Sequence, residues 1–559
     1  MIAPSPPPNN SRKQNSRKPV AVTVPARRRS LLSRSRRGAA RVAAWACDPQ
    51  LAPVLAIGFT IAHAVLWTAI LTQIKAAQNV HFDVSEAYAW GQKALLGYGK
   101  HPPLSGWIAG AWFSLFPAAD WAAYALAMAT VGIGMVACWA IACRVAGRRR
   151  AFYVLVMVAL YPIFNFKGFK YNADLVQLIS LPLLVLAYLH AFEKRTIRSG
   201  VLLGLAAALA LMCKYWVATM IGAIGLAALM HPKRMLFLRS PAPWMALVTM
   251  AAAMLPHLQW LRDADFAPFR YATDTYVISS HWESLRLVGA YLAHNIALLL
   301  LPLAIGAAVL GWAPRWWTLV LRDPRAFFAR PWSLRDNPAI DRDQALNIRL
   351  IQAIVALGPP IGALILDIYI KTDWGIPLFF LVPLTVIAIP SLRVPRVALP
   401  RIAAIWLLSS LAVLAAAPQI NIASMPRDAN GNFTHVSYAQ LARELTELWH
   451  TRFHTRWSVA AGYIEAAGEM TFYSVDHPMP MTPHDQDMPS GLVSLQDARR
   501  DGFIGVCEAA DPRFDQCRAW MKDTAPDAER MVMTTRHFFN GSASAPSKWE
   551  VYLVPPGKS

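Results

Sequence analysis

The run "LAPVLAIGFTIAHAVLWTAILTQ", from Leu51 to Gln73, decides the fold. It holds 23 residues without a charged side chain, and about 20 apolar residues suffice to cross the hydrocarbon core of a bilayer as a helix. Further apolar runs follow at 119–146, 151–166, 174–192, 200–231, 244–261, 285–311, 350–370, 374–392 and 402–418. Since the run 200–231 is long enough for two spans, broken at Lys214, the sequence predicts a polytopic α-helical membrane protein with about 11 transmembrane helices.

The composition agrees with a membrane protein. Of the 559 residues 55% are hydrophobic and 16% are charged, which is too apolar for an ordinary soluble chain. The net charge is +21, and residues 1–45 contain eleven Lys or Arg and no acid. A basic segment before a first span is retained in the cytoplasm, so we interpret residues 1–48 as a disordered cytoplasmic tail rather than a nucleic-acid-binding segment.

The charged loops predict an orientation for the spans. Because Lys and Arg stay on the cytoplasmic side, the basic loops are predicted to be cytoplasmic, namely 147–150, 193–198, 232–239, 313–349 and 393–401. Alternation from a cytoplasmic N-terminus places all of them there. It places on the outer face the segments 74–118, 167–173, 262–284 and 371–373. The transmembrane domain is thus predicted at 49–418, with a first outer loop at 74–118.

The same alternation predicts that residues 419–559 form an exported α/β domain. The pattern predicts a helix at 437–453, a turn at Asn540-Gly541, and strands at 470–475, 502–508 and 549–555. Cys507 and Cys517 lie ten residues apart in this domain, where a disulfide is permitted. We expect that bridge; the alternative is two buried thiols.

The outer segments contain the side chains that carry chemistry. The first outer loop includes "HFDVSEAYAWGQKALLGYGKHPPLSGW", His81 to Trp107, in which Asp83 and Glu86 share one face if the segment is helical. The cations and carboxylates expected at the same depth are Lys100, Lys167, Lys170, Asp174, Lys214, Lys371 and Asp373. Cations suit a lipid phosphate and a carboxylate suits deprotonation of a hydroxyl. The alternative is an aromatic belt with solvated charges.

The order of these motifs resembles the GT-C superfamily of lipid-phosphate-dependent glycosyltransferases. The matching motifs are the acidic pair, "KHPPL" at 100–104, "NAD" at 172–174, "KY" at 214–215 and "WGIP" at 374–377. The resemblance is closest to the bacterial branch that contains the aminoarabinose transferases of lipid A and the rhizobial galacturonosyltransferases, distant relatives of the protein O-mannosyltransferases. It covers about residues 50–420.

The resemblance implies roles for individual residues. Asp83 falls on the general base of the family, but many members have adjacent Asp and Glu where this chain has Asp83-Val84-Ser85-Glu86. Either Asp83 or Glu86 is therefore the catalytic base. The resemblance implies that Lys100 and Lys214 contact the donor phosphate. The other substrate-binding residues that we predict are His101, Tyr171, Asp174, Tyr215 and Trp374.

The resemblance also implies a reaction. A hexosyl or pentosyl group would pass, with inversion, from a polyprenyl-phosphate donor to a hydroxyl of an envelope glycolipid or lipopolysaccharide, at the periplasmic face of the bacterial inner membrane. The sugar stays open, and so does a divalent cation, because no ligand spacing specifies one. We expect no other cofactor and no nucleic-acid partner. The alternatives are a lipid or glycan transporter or flippase, or a non-catalytic envelope scaffold.

Two weaker patterns leave alternatives open. The segment 262–284 is either a lid over the substrates or a solvated connector. Asp476 and His477 resemble a metal-binding pair, although "DHP" before a proline-rich turn favours an ordinary loop.

Overall fold

The computed structural model describes residue 5 and residues 38–310, 339–390, 392–428, 431, 433–483 and 491–557. Most of the predicted tail 1–48 and much of the loop 313–349 lie outside these described residues. The disorder predicted for the tail therefore stays a prediction.

The membrane domain is a bundle of apolar helices. Its longer helices are Leu51–Ile74, Asp120–Ala159, Ala173–Lys194, Ile197–Leu211, Ala218–Met230, Pro241–Asp263, His281–Val309, Arg342–Leu366 and Ala398–Ser424. Within the described residues, six helices are long and apolar enough to cross a membrane. The shorter helices are Phe82–Gly91, Leu104–Phe113, Arg234–Leu238, Ala267–Thr275, Thr372–Gly375 and Val382–Ile387, with 3₁₀ turns at Pro162–Phe164, Phe166–Phe169, Tyr215–Val217 and Ile376–Phe379. A multi-pass helical architecture is confirmed, whereas the number eleven stays a prediction.

A buried histidine links three parts of the bundle. His63 lies in the first long helix and is fully buried. Its Nε2 is 2.6 Å from the carbonyl oxygen of Phe164, and its Nδ1 accepts a hydrogen bond of 3.0 Å from the Trp406 indole. A polar group in an apolar interior is costly unless it is hydrogen-bonded, so these two bonds favour one register for the helices that carry them.

Residues 74–118, the predicted first outer loop, contain two closely packed helices. Phe82–Gly91 and Leu104–Phe113 approach so closely that a Cβ atom on Gly91 would lie 2.5 Å from the backbone nitrogen of Gly110. Small residues permit such backbone contact. The first segment is helical, so the condition under which Asp83 and Glu86 share one face is met.

The C-terminal domain is built on a five-stranded mixed sheet. The strands are β1 Val459–Ala461, β2 Met479–Met481, β3 Phe503–Glu508, β4 Glu529–Thr535 and β7 Ser547–Val554, in the order β2-β1-β3-β7-β4, beside a small hairpin of β5 Phe538–Phe539 and β6 Ser542–Ala543. Its helices are Tyr438–Phe453, Ile464–Tyr473, Leu495–Asp501 and Phe514–Thr524. The α/β class and the strands at 502–508 and 549–555 are confirmed.

Two local features of this domain also agree with the sequence analysis. A disulfide joins Cys507 on β3 to Cys517 on the helix Phe514–Thr524, as expected. Asn540 and Gly541 form the turn between β5 and β6, and both adopt positive φ.

The strand predicted at 470–475 is wrong. Residues 464–473 form a helix, and residues 466–472 are all buried. The β-propensity of the aromatic residues is overridden by packing of this helix against Phe82–Gly91. The C-terminal domain thereby contacts the helix that carries both candidate bases.

A buried glutamate lies in this contact. Glu469 is 2% exposed, and its Oε1 lies 3.3 Å from the hydroxyl of Ser85, a residue between Asp83 and Glu86. Burial raises the pKa of Glu469 well above its usual value, and Asp120 raises it further, against the opposing effect of Ser85. The folded protein therefore favours the protonated form of Glu469 more strongly than the unfolded chain does.

We expect Glu469→Gln to raise the melting temperature at pH 8 by a few degrees. The pKa of Glu469 is raised in the folded state, so unfolding releases its proton at pH values above the pKa that Glu469 has in the unfolded chain. The wild type therefore loses stability as the pH rises. Glutamine abolishes this loss, and the difference should shrink toward zero as the pH falls to about 4. Thermal unfolding across pH measures it, with the exposed Glu447→Gln as control. An equal shift at all pH values would contradict the explanation.

Candidate active site

The predicted site residues converge on one cavity of about 310 Å³. It lies between the helix Phe82–Gly91, the break around Lys214, the segment after Thr372 and the helix Ala267–Thr275. Eight of the nine predicted residues line it, namely Asp83, Glu86, Lys100, His101, Asp174, Lys214, Tyr215 and Trp374. Segments far apart in the sequence therefore supply one chemical environment.

Asp83 is held beside an amide. Asn172 donates a hydrogen bond of 2.8 Å to Oδ2 of Asp83, and His81 Nδ1 lies 3.6 Å from the same oxygen. Burial alone raises the pKa of Asp83, but His81, Asn172, Lys170 and Lys100 together lower it below its ordinary value. Asp83 is therefore an anion throughout the neutral pH range.

Glu86 is paired, in contrast to Asp83. The ammonium of Lys100 lies 2.6 Å from Oε1 of Glu86, and the glutamate is 7% exposed. The Lys100 nitrogen also lies 5.6 Å from the centroid of the Tyr271 ring. Lys100 therefore lies against both a carboxylate and an aromatic ring.

Lys214 makes a corresponding pair in the same cavity. Its nitrogen lies 2.7 Å from Oδ1 of Asp174 and 5.1 Å from the centroid of the Trp374 ring. Lys214 is 7% exposed, because the chain breaks here between the helices Ile197–Leu211 and Ala218–Met230. A cation with this burial attracts an anion more strongly than an exposed one does.

Aromatic rings form much of the remaining wall. The ring centroid of Trp374 lies 5.0 Å from that of Trp216 and 5.2 Å from that of Tyr276. Tyr215 packs on Phe269, with ring centroids 5.0 Å apart, and its hydroxyl lies 3.1 Å from His257 Nε2. Burial, with Lys214 and Lys100 nearby, lowers the pKa of His101 to about 3, so His101 is neutral.

Residues 100–260 match the family described as dolichyl-phosphate-mannose-protein mannosyltransferase. The predicted resemblance to GT-C glycosyltransferases is confirmed. The matched residues include Lys100, Asp174 and Lys214 of the cavity. The lipid A galacturonosyltransferase RgtD of Rhizobium johnstonii is 24% identical over 250 residues, which are 43% of this chain and 48% of RgtD. The chain thus spans about half the length of this curated relative.

Two solved structures are similar in fold to this chain. ArnT from Cupriavidus metallidurans bound to undecaprenyl phosphate has a TM-score of 0.54 and 14% identity, covering 92% of this chain and 100% of that one. Its apo state has a TM-score of 0.52 and 13% identity, covering 90% and 99%. At this identity the comparison establishes an ArnT-like fold.

Tyr171 is the predicted GT-C site residue that does not line the cavity. It is fully buried, and its hydroxyl donates a hydrogen bond of 2.8 Å to the carbonyl oxygen of Ser105. This bond ties the second outer segment to the helix Leu104–Phe113. We therefore interpret Tyr171 as a residue that supports the site without contacting the substrate.

Asn172 and the segment 262–284 contribute more than the sequence indicated. Asn172 caps the helix Ala173–Lys194 through its Oδ1 and holds Asp83 through its Nδ2. From 262–284, the lining residues are Pro268, Phe269, Tyr271, Ala272 and Tyr276. The cap was readable from Asn before a helix, but its contact with Asp83 joins residues 89 positions apart.

The metal-binding alternatives find no support in the described residues. There, no group of three His, Cys, Asp or Glu side chains is arranged to hold a metal ion. Asp476 accepts hydrogen bonds from the Trp457 backbone at 2.8 Å and pairs with His450 at 2.7 Å. The interpretation of Asp476-His477 as an ordinary loop agrees with these contacts.

A second cavity of about 480 Å³ adjoins the first. The two cavities share Phe82, Glu86, Trp90, Lys100 and Tyr271, and the far wall of the second comes from the C-terminal domain. That wall includes Arg513, which pairs with Asp511 and Glu465 at 2.7 and 3.2 Å and lies 4.1 Å from the centroid of Tyr463. The site therefore offers two adjoining spaces that meet at Glu86 and Lys100.

Replacing Asn172 with aspartate tests the environment of Asp83. Aspartate retains the helix cap but replaces the amide donor with a second carboxylate, so the apparent pKa of the pair rises. If Asp83 is the base, we expect the acid limb of the pH-rate profile to move up by about one pH unit or more. Asn172→Ser, which caps without charge, is the control. An unmoved acid limb would show that Asp83 does not set it.

Proposed function

We propose that the protein is an inverting glycosyltransferase that moves a sugar from a polyprenyl-phosphate donor to a hydroxyl of an envelope glycolipid or lipopolysaccharide. The observation that carries the proposal is one cavity that brings together ionised Asp83, the pairs Lys100–Glu86 and Lys214–Asp174, and the aromatic rings next to Trp374. Such a transfer needs a base, a stabilised leaving phosphate and apolar faces for a sugar ring.

Lys214 and Lys100 are proposed to bind the donor phosphate. Departure of a phosphate monoester develops charge on its oxygens, and preorganised cations lower the barrier by stabilising that charge. Both ammonium groups are held in place by a carboxylate and line the same cavity. The undecaprenyl phosphate bound to ArnT supports this class of donor.

Asp83 is proposed as the base in preference to Glu86. Glu86 neutralises Lys100, whereas Asp83 Oδ1 accepts no hydrogen bond from the described residues. In the reaction the acceptor oxygen attacks the anomeric carbon, the bond from that carbon to the phosphate oxygen breaks, and Asp83 takes the hydroxyl proton. The polyprenyl phosphate leaves with the bonding electrons, on the face opposite the attack, which gives inversion.

The acceptor is proposed to enter through the second cavity. This cavity reaches the first at Glu86 and Lys100, so an acceptor hydroxyl there lies on the side of the Asp83 helix. The name of RgtD, a lipid A galacturonosyltransferase, supports a lipid A-like acceptor. Arg513 and Lys100 at this cavity suit an acceptor that carries phosphate groups.

We further propose that the protein lies in the inner membrane, with a cytoplasmic N-terminus and with the cavity and C-terminal domain in the periplasm. The support is the positive-inside rule applied to the basic loops. A cysteine-labelling scan of exposed positions on 147–150 and on the C-terminal domain would test the orientation directly.

Mass spectrometry of envelope lipids and lipopolysaccharide tests the function. Three strains are compared: cells with the wild-type protein, cells with Asp83→Asn and cells without the protein. The wild-type protein and Asp83→Asn are expressed at equal levels. We expect one sugar addition to disappear in both altered strains. Unchanged glycans in both strains would overturn the proposal and favour the transporter or scaffold interpretation.

A further inference from the structure

A basic cavity lies at the opposite end of the membrane domain from the active site. Asp120, near the C-terminal domain, accepts a hydrogen bond of 2.8 Å from Tyr473. The helix then runs about 40 Å to Gly147, where φ of 76° breaks it. There a cavity of about 520 Å³ opens, lined among others by Cys47, Gly147, Arg148, Arg149, Arg150 and Arg393. We call it the kink cavity.

The charge of the kink cavity is unbalanced. Four arginines line it, and no acid does so among the residues that the structure describes. Two cations outside the cavity do have carboxylate partners, since Arg144 pairs with Glu193 and Lys233 pairs with Asp343. By contrast, Arg148, Arg149 and Arg393 form no ion pair with any carboxylate in the described ranges.

Arg150 adds an observation independent of the net charge. It is 6% exposed, and its Nη2 donates a hydrogen bond of 2.7 Å to the carbonyl oxygen of Leu392. Its Nε is buried and has no hydrogen-bond partner in the described part of the chain. A buried cation with an unsatisfied donor is costly, and a bound anion would offset that cost.

We propose that the kink cavity binds a phosphate group, supplied by the headgroup of an anionic phospholipid. Guanidinium groups match phosphate oxygens in a two-donor geometry, and basic pockets at the ends of transmembrane helices bind anionic headgroups. The volume suits a small ligand, and the site joins the break at Gly147 to the segment around Arg393. Its ligand fixes the helix break at the end of the bundle away from catalysis.

Lipid binding by the purified full-length protein tests this site. Native mass spectrometry with phosphatidylglycerol or phosphatidylcholine is applied to the wild type, to R148Q/R149Q and to the control R234Q/R239Q. Arg234 and Arg239 are exposed and do not line the cavity, and their replacement changes the charge equally. We expect phosphatidylglycerol to bind about tenfold more weakly to R148Q/R149Q than to the wild type or the control. Arg393→Gln is a second variant and should weaken binding in the same direction.

Inorganic phosphate distinguishes the two sources of the anion. With a lipid ligand, millimolar phosphate leaves the melting temperature unchanged while phosphatidylglycerol raises it, and R148Q/R149Q loses that rise. Stabilisation by phosphate alone, lost in the same variant, would support the phosphate site and assign it to a free anion. Equal loss of phosphatidylglycerol binding in both double variants, or loss in neither, would overturn the proposal.

Discussion

Asp83→Asn is expected to lower kcat for sugar transfer by about 10²–10⁴-fold, the usual contribution of a general base. Asparagine preserves the volume but cannot take the acceptor proton. The hydrogen bond of 2.8 Å from Asn172 to Oδ2 shows that the carboxylate is already oriented. Because the pKa of Asp83 is lowered, the wild type should lose activity only below about pH 4 through this group. Transfer from a synthetic polyprenyl-phosphate sugar to a lipid A acceptor measures both effects.

Two further variants make the assignment of the base specific. Asp263→Asn removes an exposed carboxylate from the neighbouring segment and should leave kcat unchanged. Glu86→Gln removes the partner of Lys100, so it should chiefly affect substrate binding rather than proton transfer. A loss of kcat in Glu86→Gln as large as that in Asp83→Asn, with its own shift of the acid limb, would reassign the base to Glu86.

Lys214→Gln is expected to lower kcat/KM by about 10²–10³-fold. This is the usual effect of losing one preorganised group that stabilises charge in the transition state. The lysine is buried, held 2.7 Å from Asp174 and placed against Trp374. Glutamine keeps most of the side-chain length but loses the charge that stabilises the leaving phosphate in the proposed reaction. Lys214→Arg retains the charge and should recover part of the activity.

The role of Asp174 can be separated from that of Lys214. If Asp174 acts by holding the lysine, Asp174→Asn added to Lys214→Gln should cause little further loss. Lys75→Gln is a matched control, because Lys75 is partly buried over the Phe169 ring at 4.4 Å but does not line the cavity. A similar loss of activity in Lys75→Gln would indicate a general effect of charge at this face.

Local patterns were sufficient for several features of the site. Asp83 and Glu86 are three residues apart, so a helix alone places them on one side. The cysteines of the C-terminal domain were close enough in sequence to predict their disulfide. Residues 470–475 were assigned to a strand because their aromatic residues favour one, whereas the packing against Phe82–Gly91 favours a helix.

The sequence by itself determined the membrane class, the GT-C resemblance, the α/β class of the C-terminal domain and most residues of the cavity. These features follow from apolar run length, helical periodicity and short motifs, which depend only on neighbours in the chain. The tertiary structure alone decided how the charges are shared. In the folded protein, Lys100 pairs with Glu86 and Lys214 pairs with Asp174. Asn172 donates a hydrogen bond to Asp83, and Tyr171 is buried outside the cavity. Lys214 and Asp174 are 40 residues apart in the chain, and Asn172 and Asp83 are 89 residues apart. Such contacts depend on how distant segments pack to within a few ångströms, which no local pattern encodes.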